Sequence, residues 1–273
     1  MKVALIDNGS LEPGAHAALR AAACAIGDIA GIGVDAVSWR HSDRIPAGAL
    51  GGRPAWTLAP WIRAQVTAGE REFTLVPFFI SPQGAIGSLL RRDLEALQAE
   101  AGGFEFSFAE GLATGHTLAA IVEDRVREAA AARALIRPAV VVVDHGGPSK
   151  ASAGVRDFVA DGARERLRGV IGPLAAASME SPEGPEFHVS RPLLADVLGG
   201  PGFDEGDVLI APLFLLPGRH AGPRGDLARI ACAAEARSPG LRCHFTGLVG
   251  SHRIATEFLA GALSQALAAA AHP

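Results

Sequence analysis

Two histidines and one glutamate stand where a chain of this pattern can do chemistry. His145 follows the β-branched run Val140-Val-Val-Val-Asp144, and His220 follows Ile210-Ala-Pro-Leu-Phe-Leu-Leu-Pro-Gly-Arg219. Glu180 closes a third apolar run, Leu174-Ala-Ala-Ala-Ser-Met179. Two neutral imidazoles and a carboxylate suit Fe²⁺, Co²⁺, Ni²⁺ or Zn²⁺, with coordination positions left for another ligand. An imidazole that is neutral near pH 7 also accepts protons. The residues by themselves leave a second reading open, because a strand-end histidine is also a common hydrogen-bonded core residue. The 75 residues separating His145 from His220 make no local metal motif, and Glu180 reads equally as a solvated carboxylate.

Several other chemistries are disfavoured. Gly31-Ile-Gly33 does not complete a G-x-G-x-x-G turn, so a nicotinamide enzyme is not expected. Lys150 follows the wrong loop for a P-loop. His145-Gly-Gly lacks an accompanying G-x-S-x-G nucleophile elbow, which argues against an esterase. Cys24, Cys232 and Cys243 are odd in number and unclustered, against a disulfide framework, structural zinc or an iron–sulfur cluster. His16, His188, His244 and His272 read as solvated surface or local capping residues. His41 lies near the first-half counterpart of Glu180 and stays open. His116 and His252 sit at equivalent places before helices, where a structural and a cleft-facing role are both open.

The elements that must hold these residues repeat. Val3-Ala-Leu-Ile-Asp7-Asn8-Gly9 matches Val140-Val-Val-Val-Asp144-His145-Gly146. Leu75-Val-Pro77-Phe-Phe-Ile-Ser81-Pro82 matches Ile210-Ala-Pro212-Leu-Phe-Leu-Leu-Pro217, and Gly111-Leu-Ala-Thr-Gly-His116 matches Gly247-Leu-Val-Gly-Ser-His252. The offsets are 137, 135 and 136 residues, as expected of a duplicated domain. Amphipathic stretches at 14–29, 86–98, 118–135, 155–168 and 254–267 read as helices between buried strands. That alternation predicts an α/β fold of two parallel-sheet βαβ lobes, 1–137 and 138–273, divided near Arg137-Pro138. Asn8 and Ala85 replace the two histidines in the first half, so the site is expected in the second lobe. Leu213–Leu216 reads as core strand.

Composition fits this reading. The chain has 273 residues, 49% hydrophobic and 20% charged, with a net charge of −4, enough to bury a core and too mild for a nucleic-acid footprint. No run approaches the roughly 18 apolar residues of a membrane span. Asp7 and Asn8 interrupt the apolar start, so no secretory leader is expected and the cytoplasm is the expected compartment.

The run Val140–His145-Gly, the strand-end Glu180, and Pro212-Leu-Phe-Leu-Leu-Pro-Gly-Arg-His220 followed by Asp226-Leu-Ala resemble the class II tetrapyrrole chelatases of the CbiX/SirB type. The resemblance is strongest over 138–273, and the first half reads as a degenerate copy. It implies two lobes around a cleft and a lyase that inserts cobalt or iron into sirohydrochlorin, for cobalamin or siroheme, without ATP or an organic cofactor. His145 and His220 would bind the metal and take protons from the macrocycle, with Glu180 nearby; Glu183 and Glu186 compete for the carboxylate role. Arg219, Lys150 or Arg224 would pair with substrate carboxylates. A non-catalytic metal or tetrapyrrole carrier, another tetrapyrrole, and nickel are the alternatives.

Overall fold

The computed structural model describes residues 1–80, 85–112, 116–181 and 184–270. Residues 81–84, the first two of which end the second repeat match, 113–115 of the third, Glu183 and His272 lie outside the described residues, as does the side chain of Glu186.

The chain divides into two compact units, Met1–Leu112 with Arg253–Pro273, and Ala113–His252. The first holds β1 (Lys2–Asp7), α1 (Pro13–Ala30), β2 (Val34–Ser38), β3 (Trp56–Thr57), α2 (Leu58–Thr67), β4 (Glu72–Pro77), α3 (Ala85–Glu100) and β5 (Glu105–Phe108). The second holds α4 (His116–Ala132), β6 (Ala139–Asp144), α5 (Lys150–Arg166), β7 (Leu174–Ser178), α6 (Leu194–Val197), β8 (Gly206–Pro212), α7 (Asp226–Arg237) and β9 (Leu241–Phe245). The last helix, α8 (Arg253–Ala270), belongs to the first unit. Both sheets are wholly parallel, in the orders β3-β2-β1-β4-β5 and β7-β6-β8-β9. The strand order therefore reverses between β1 and β4, and again between β6 and β8. Ligands in open parallel sheets bind at such switch points, beyond the carboxyl ends of the strands.

Sequence explains the elements directly. Val140–Val143 are fully buried, as a strand covered on both faces requires, and each such valine contributes roughly 1.5–3 kcal/mol of burial. Pro13 opens α1, whose end is capped by Gly31 at φ 69° with its N–H on the Gly27 carbonyl. Ser149 caps α5, its hydroxyl accepting from the Ser152 N–H at 3.2 Å.

Three expectations are corrected. The units do not divide at Arg137-Pro138. The apolar stripe Leu118, Ile121, Val122 and Val126 of α4 is buried within the second unit, where α4 packs on α5 and β8. The contact is close: a Cβ at Gly162 would stand 2.9 Å from that of Ala119. In return α8 packs on α1 and β4 of the first unit, so the two halves exchange their last helices. Leu213–Leu216 is not strand, because β8 ends at Pro212, paired with Val143 one residue short of the end of β6. His16 is not solvated: it lies on the buried stripe of α1 with Leu19, Ala23 and Ile26, and is 2% exposed. Neither of its ring nitrogens has a hydrogen-bond partner. Burial, helped by Arg20, pushes its pKa down to about 4, so the ring is neutral.

Asp7, at the end of β1, is also buried and has one oxygen, Oδ1, without a partner. Burial raises its pKa to about 6, although hydrogen bonds from Ser38 and the Gly9 backbone oppose the shift. Since the folded pKa lies above the unfolded one, the native state binds more protons between pH 4 and 6. Stability contributed by this group is therefore lost as pH rises through that window. Asp7→Asn should remove this part of the slope and raise stability by about 1–2 kcal/mol at pH 7. Urea midpoints for both proteins at pH 4.5 and pH 7.5 measure it; an unchanged difference between the two pH values refutes the assignment.

Candidate functional site

The end of the second sheet is built by its central strand. Asp144 is in register with Ser178, and Val143 with Pro212, so β6, β7 and β8 finish at one level. The ladder then runs a little further: Met179 N–H donates to the Asp144 carbonyl at 2.8 Å, Glu180 N–H to the His145 carbonyl at 3.2 Å, and Leu213 N–H to the Val143 carbonyl at 2.8 Å. His145 and Glu180 are thereby neighbours by backbone hydrogen bonding. Gly146 permits this, with φ 90° and a position where a Cβ would lie 2.0 Å from the Glu180 carbonyl oxygen. Gly146→Ala should cost more than about 2 kcal/mol in a denaturation measurement, through strain at that φ together with displacement of Glu180.

The first unit repeats this backbone with other side chains. Trp39 N–H donates to the Asp7 carbonyl at 2.7 Å and Arg40 N–H to the Asn8 carbonyl at 3.2 Å, while a Cβ at Gly9 would lie 1.7 Å from the Arg40 carbonyl oxygen. The counterparts of His145 and Glu180 are therefore Asn8 and Arg40; His41, one residue on, has φ 72°. Arg40 lies over the Trp39 ring at 3.9 Å and pairs with Asp93 at 3.1 Å.

His145 Nε2 lies 3.4 Å from Glu180 Oε1, and its ring meets that of His220 edge-on, with centroids 4.8 Å apart. Phe214 flanks both imidazoles at 6.5 and 6.3 Å. His145 Nδ1 lies 3.1 Å from the Gly146 carbonyl oxygen. A carbonyl only accepts, so Nδ1 carries the hydrogen and Nε2 is the atom turned to the carboxylate. A bare Nε2 facing a carboxylate sets two lone pairs against each other unless a cation, a proton or a metal ion, lies between them. Donors ~2.1 Å from one tetrahedral ion stand ~3.4 Å apart, a spacing that this pair already has. His220 is less exposed than His145, 30% against 48%. Burial, and then the neighbouring His145, hold its pKa below the ordinary histidine value while Glu180 opposes them, which keeps the imidazole neutral. Among the described residues no group of three or more His, Cys, Asp or Glu side chains is placed to hold a metal ion, so His145 and Glu180 stand as a pair.

Beneath the site is a buried polar hub. Ser178 Oγ donates to Asp144 Oδ1 at 2.5 Å and accepts from Arg156 Nη1 at 2.7 Å. The Arg156 guanidinium, 3% exposed, also reaches Asp157 at 2.8 Å and the Val189 carbonyl at 3.4 Å. Ser190 Oγ accepts from Gly147 N–H at 2.8 Å and donates to its carbonyl at 2.9 Å, tying the loop after β7 to the loop after His145. Burial raises the pKa of Asp144, with Ser178 and Arg156 opposing.

The three cations named from sequence do not converge equally. Arg219 is 79% exposed and 3.8 Å from Asp226; Lys150 is exposed at the first residue of α5, and Arg224 is exposed before α7. A groove of about 410 Å³ opens beside Glu180, floored by Met179, Ile230 and Ala233, with Arg229 and Arg237 along it. A larger groove of about 860 Å³ lies in the first unit, along α1 and the start of β2, at the amino-terminal end of that strand and away from the strand-end residues. His116 is exposed against Phe158, whereas His252 is buried, 3.8 Å from both Asp124 and Glu128. His244 pairs with Asp207 at 2.9 Å, a local contact. Sequence reasoning missed Asp226 and the Ser178–Arg156 hub as parts of the site; an aspartate six residues after His220, opening a helix, was the available signal for the first.

No protein-family model and no curated protein matches the chain by sequence. Solved structures do match it. SirB from Bacillus subtilis with Fe³⁺ superposes with a TM-score of 0.68 at 14% identity, over 99% of this chain and 97% of SirB. The sirohydrochlorin chelatase SirB from Bacillus subtilis subspecies spizizenii, in complex with cobalt, gives 0.67 at 14% identity, over 97% and 95%. CbiX, described as the terminal enzyme for siroheme biosynthesis in denitrifying bacteria, gives 0.63 at 17% identity, over 97% and 99%. Nearly end-to-end agreement across two parallel α/β units gives this chain the fold of the SirB and CbiX chelatases.

Proposed function

We propose that the protein inserts a divalent metal, cobalt or iron, into sirohydrochlorin or a closely related tetrapyrrole, without ATP or an organic cofactor. The observation that carries this reading is the placement of His145, Glu180 and His220 at one strand-end edge of a chelatase fold, with His145 and Glu180 at the separation of two ligands of one ion. The free-base macrocycle gives up two pyrrole protons as the metal ion enters. His145 and His220 present the ion and accept protons near neutral pH, with Glu180 balancing charge. Loose, partly exposed ligation suits a metal that must leave with its product, whereas a closed four-ligand cage would retain it. Arg219, Lys150 and Arg224, exposed around this edge, are the cations available to the substrate's carboxylates.

Anaerobic mixing of the purified protein with sirohydrochlorin and Co²⁺, Fe²⁺ or Ni²⁺ in turn, followed by absorbance, tests the reading. Metal-dependent spectral conversion above the spontaneous rate is the expected result, and the responding metal is the one the enzyme uses. Stoichiometric binding of metal or macrocycle with no acceleration replaces the enzyme by a carrier.

A further inference from the structure

We propose that Asp226 is the positioning residue for His220: its carboxylate holds the hydrogen of Nδ1 and leaves Nε2 as the free donor atom. Asp226 Oδ2 lies 2.5 Å from His220 Nδ1. The carboxylate is more enclosed than the ring it holds, 16% exposed against 30%. Arg229 pairs with its other oxygen and Arg219 stands 3.8 Å from Oδ2. Held between these cations, at the first residue of a 12-residue helix whose amino end favours negative charge, Asp226 is an acceptor only.

The backbone joins the two residues as one piece. Gly222 N–H donates to the Gly218 carbonyl at 2.8 Å, Gly225 N–H to Gly222 at 2.9 Å, Asp226 N–H to Arg219 at 3.3 Å and Leu227 N–H to His220 at 3.2 Å. The closure is tight enough that a Cβ at Gly225 would stand 2.5 Å from the His220 carbonyl oxygen. A neutral imidazole in water prefers its hydrogen on Nε2, so the opposite tautomer needs an acceptor at Nδ1. His145 has one in the Gly146 carbonyl and His220 has one in Asp226. Both rings thereby offer Nε2. A ligand histidine is oriented in this way by the acceptor on its other nitrogen, and losing that acceptor typically weakens metal binding 10–100-fold.

The metal half of this inference rests on the proposed function; the tautomer does not. Long-range ¹H–¹⁵N spectra of metal-free protein report which nitrogen of each ring is protonated, and isothermal titration with Co²⁺ alone reports affinity. The wild type should show His220 hydrogenated at Nδ1. Asp226→Ala should move the hydrogen to Nε2, leave the His145 signals in place, and weaken Co²⁺ binding tenfold or more; Asp226→Glu should recover part of both. Retention of the Nδ1 tautomer in Asp226→Ala, or a changed tautomer with unchanged Co²⁺ affinity, overturns the proposal. Absence of Co²⁺ binding to the wild type instead fails the functional reading, while the tautomer comparison, made without metal or macrocycle, still decides the role of Asp226.

Discussion

Replacing either imidazole should stop the reaction while leaving the protein folded. On the proposed function, His145→Ala and His220→Ala are each expected to lower metal-dependent conversion of sirohydrochlorin at least 100-fold, because each would remove a metal donor and a proton acceptor together. Both rings are partly exposed, so the truncations should change stability by only about 0.5 kcal/mol, and melting curves separate lost chemistry from lost fold. Asn8 supplies the positional control. It occupies the place of His145 in the first unit, with the same backbone hydrogen bonds, and Asn8→Ala should leave the rate within twofold of wild type. The double histidine variant should be little worse than either single one, since two groups acting on one ion fail as a unit. A single variant that keeps a tenth or more of the wild-type rate at saturating metal would remove that histidine from the mechanism.

The pattern Asp-x-Gly at the end of an apolar run was legible twice because the backbone enforces it. Gly9 and Gly146 both have positive φ and both let a neighbouring strand end approach within a distance that excludes a Cβ. Such local constraints leave a residue signature, and with them came the parallel sheets, the doubled plan and the position of His145. The exchange of α4 and α8 left none. An apolar stripe states that one face is buried, and Leu118, Ile121 and Val122 are equally suited to either sheet. Glu180's counterpart could be located only as near His41, because register is a property of the pairing: hydrogen bonding selects Arg40, the residue before it. His16 was misread for a related reason. Its spacing with Leu19, Ala23 and Ile26 marks the buried stripe, and the polar side chain hid the period. Asp226 and His220 meet through a loop closed by two glycines, which a list of strand ends does not reveal.

The same internal comparison predicts the largest stability effect in the chain. Asp7 and Asp144 end equivalent strands, each is hydrogen-bonded by the serine closing the adjacent strand, and burial raises the pKa of both. Twelve residues after Asp7 stands Leu19, and twelve after Asp144 stands Arg156, at the same turn of equivalent helices. The first unit thus tolerates a buried carboxylate by letting it take a proton near pH 6. The second places a guanidinium in contact with Ser178 and 3.9 Å from Asp144. Arg156→Leu, which copies the first unit, should cost about 3–5 kcal/mol at pH 7, because it strands Asp144 without its cation and leaves Ser178 and the Val189 carbonyl without their donor. Adding Asp144→Asn should restore most of that loss, since a neutral partner removes the unpaired charge. Urea denaturation of the wild type, both single variants and the double variant measures the coupling. An Arg156→Leu protein with an unchanged midpoint, or a double variant no more stable than the single, would show that the guanidinium does not compensate Asp144. Because Arg156 also holds the loop that runs on from Glu180, the restored double variant should still lose activity through a carboxylate no longer fixed beside His145. Stability rescued without activity would separate the charge balance of the hub from its part in placing Glu180.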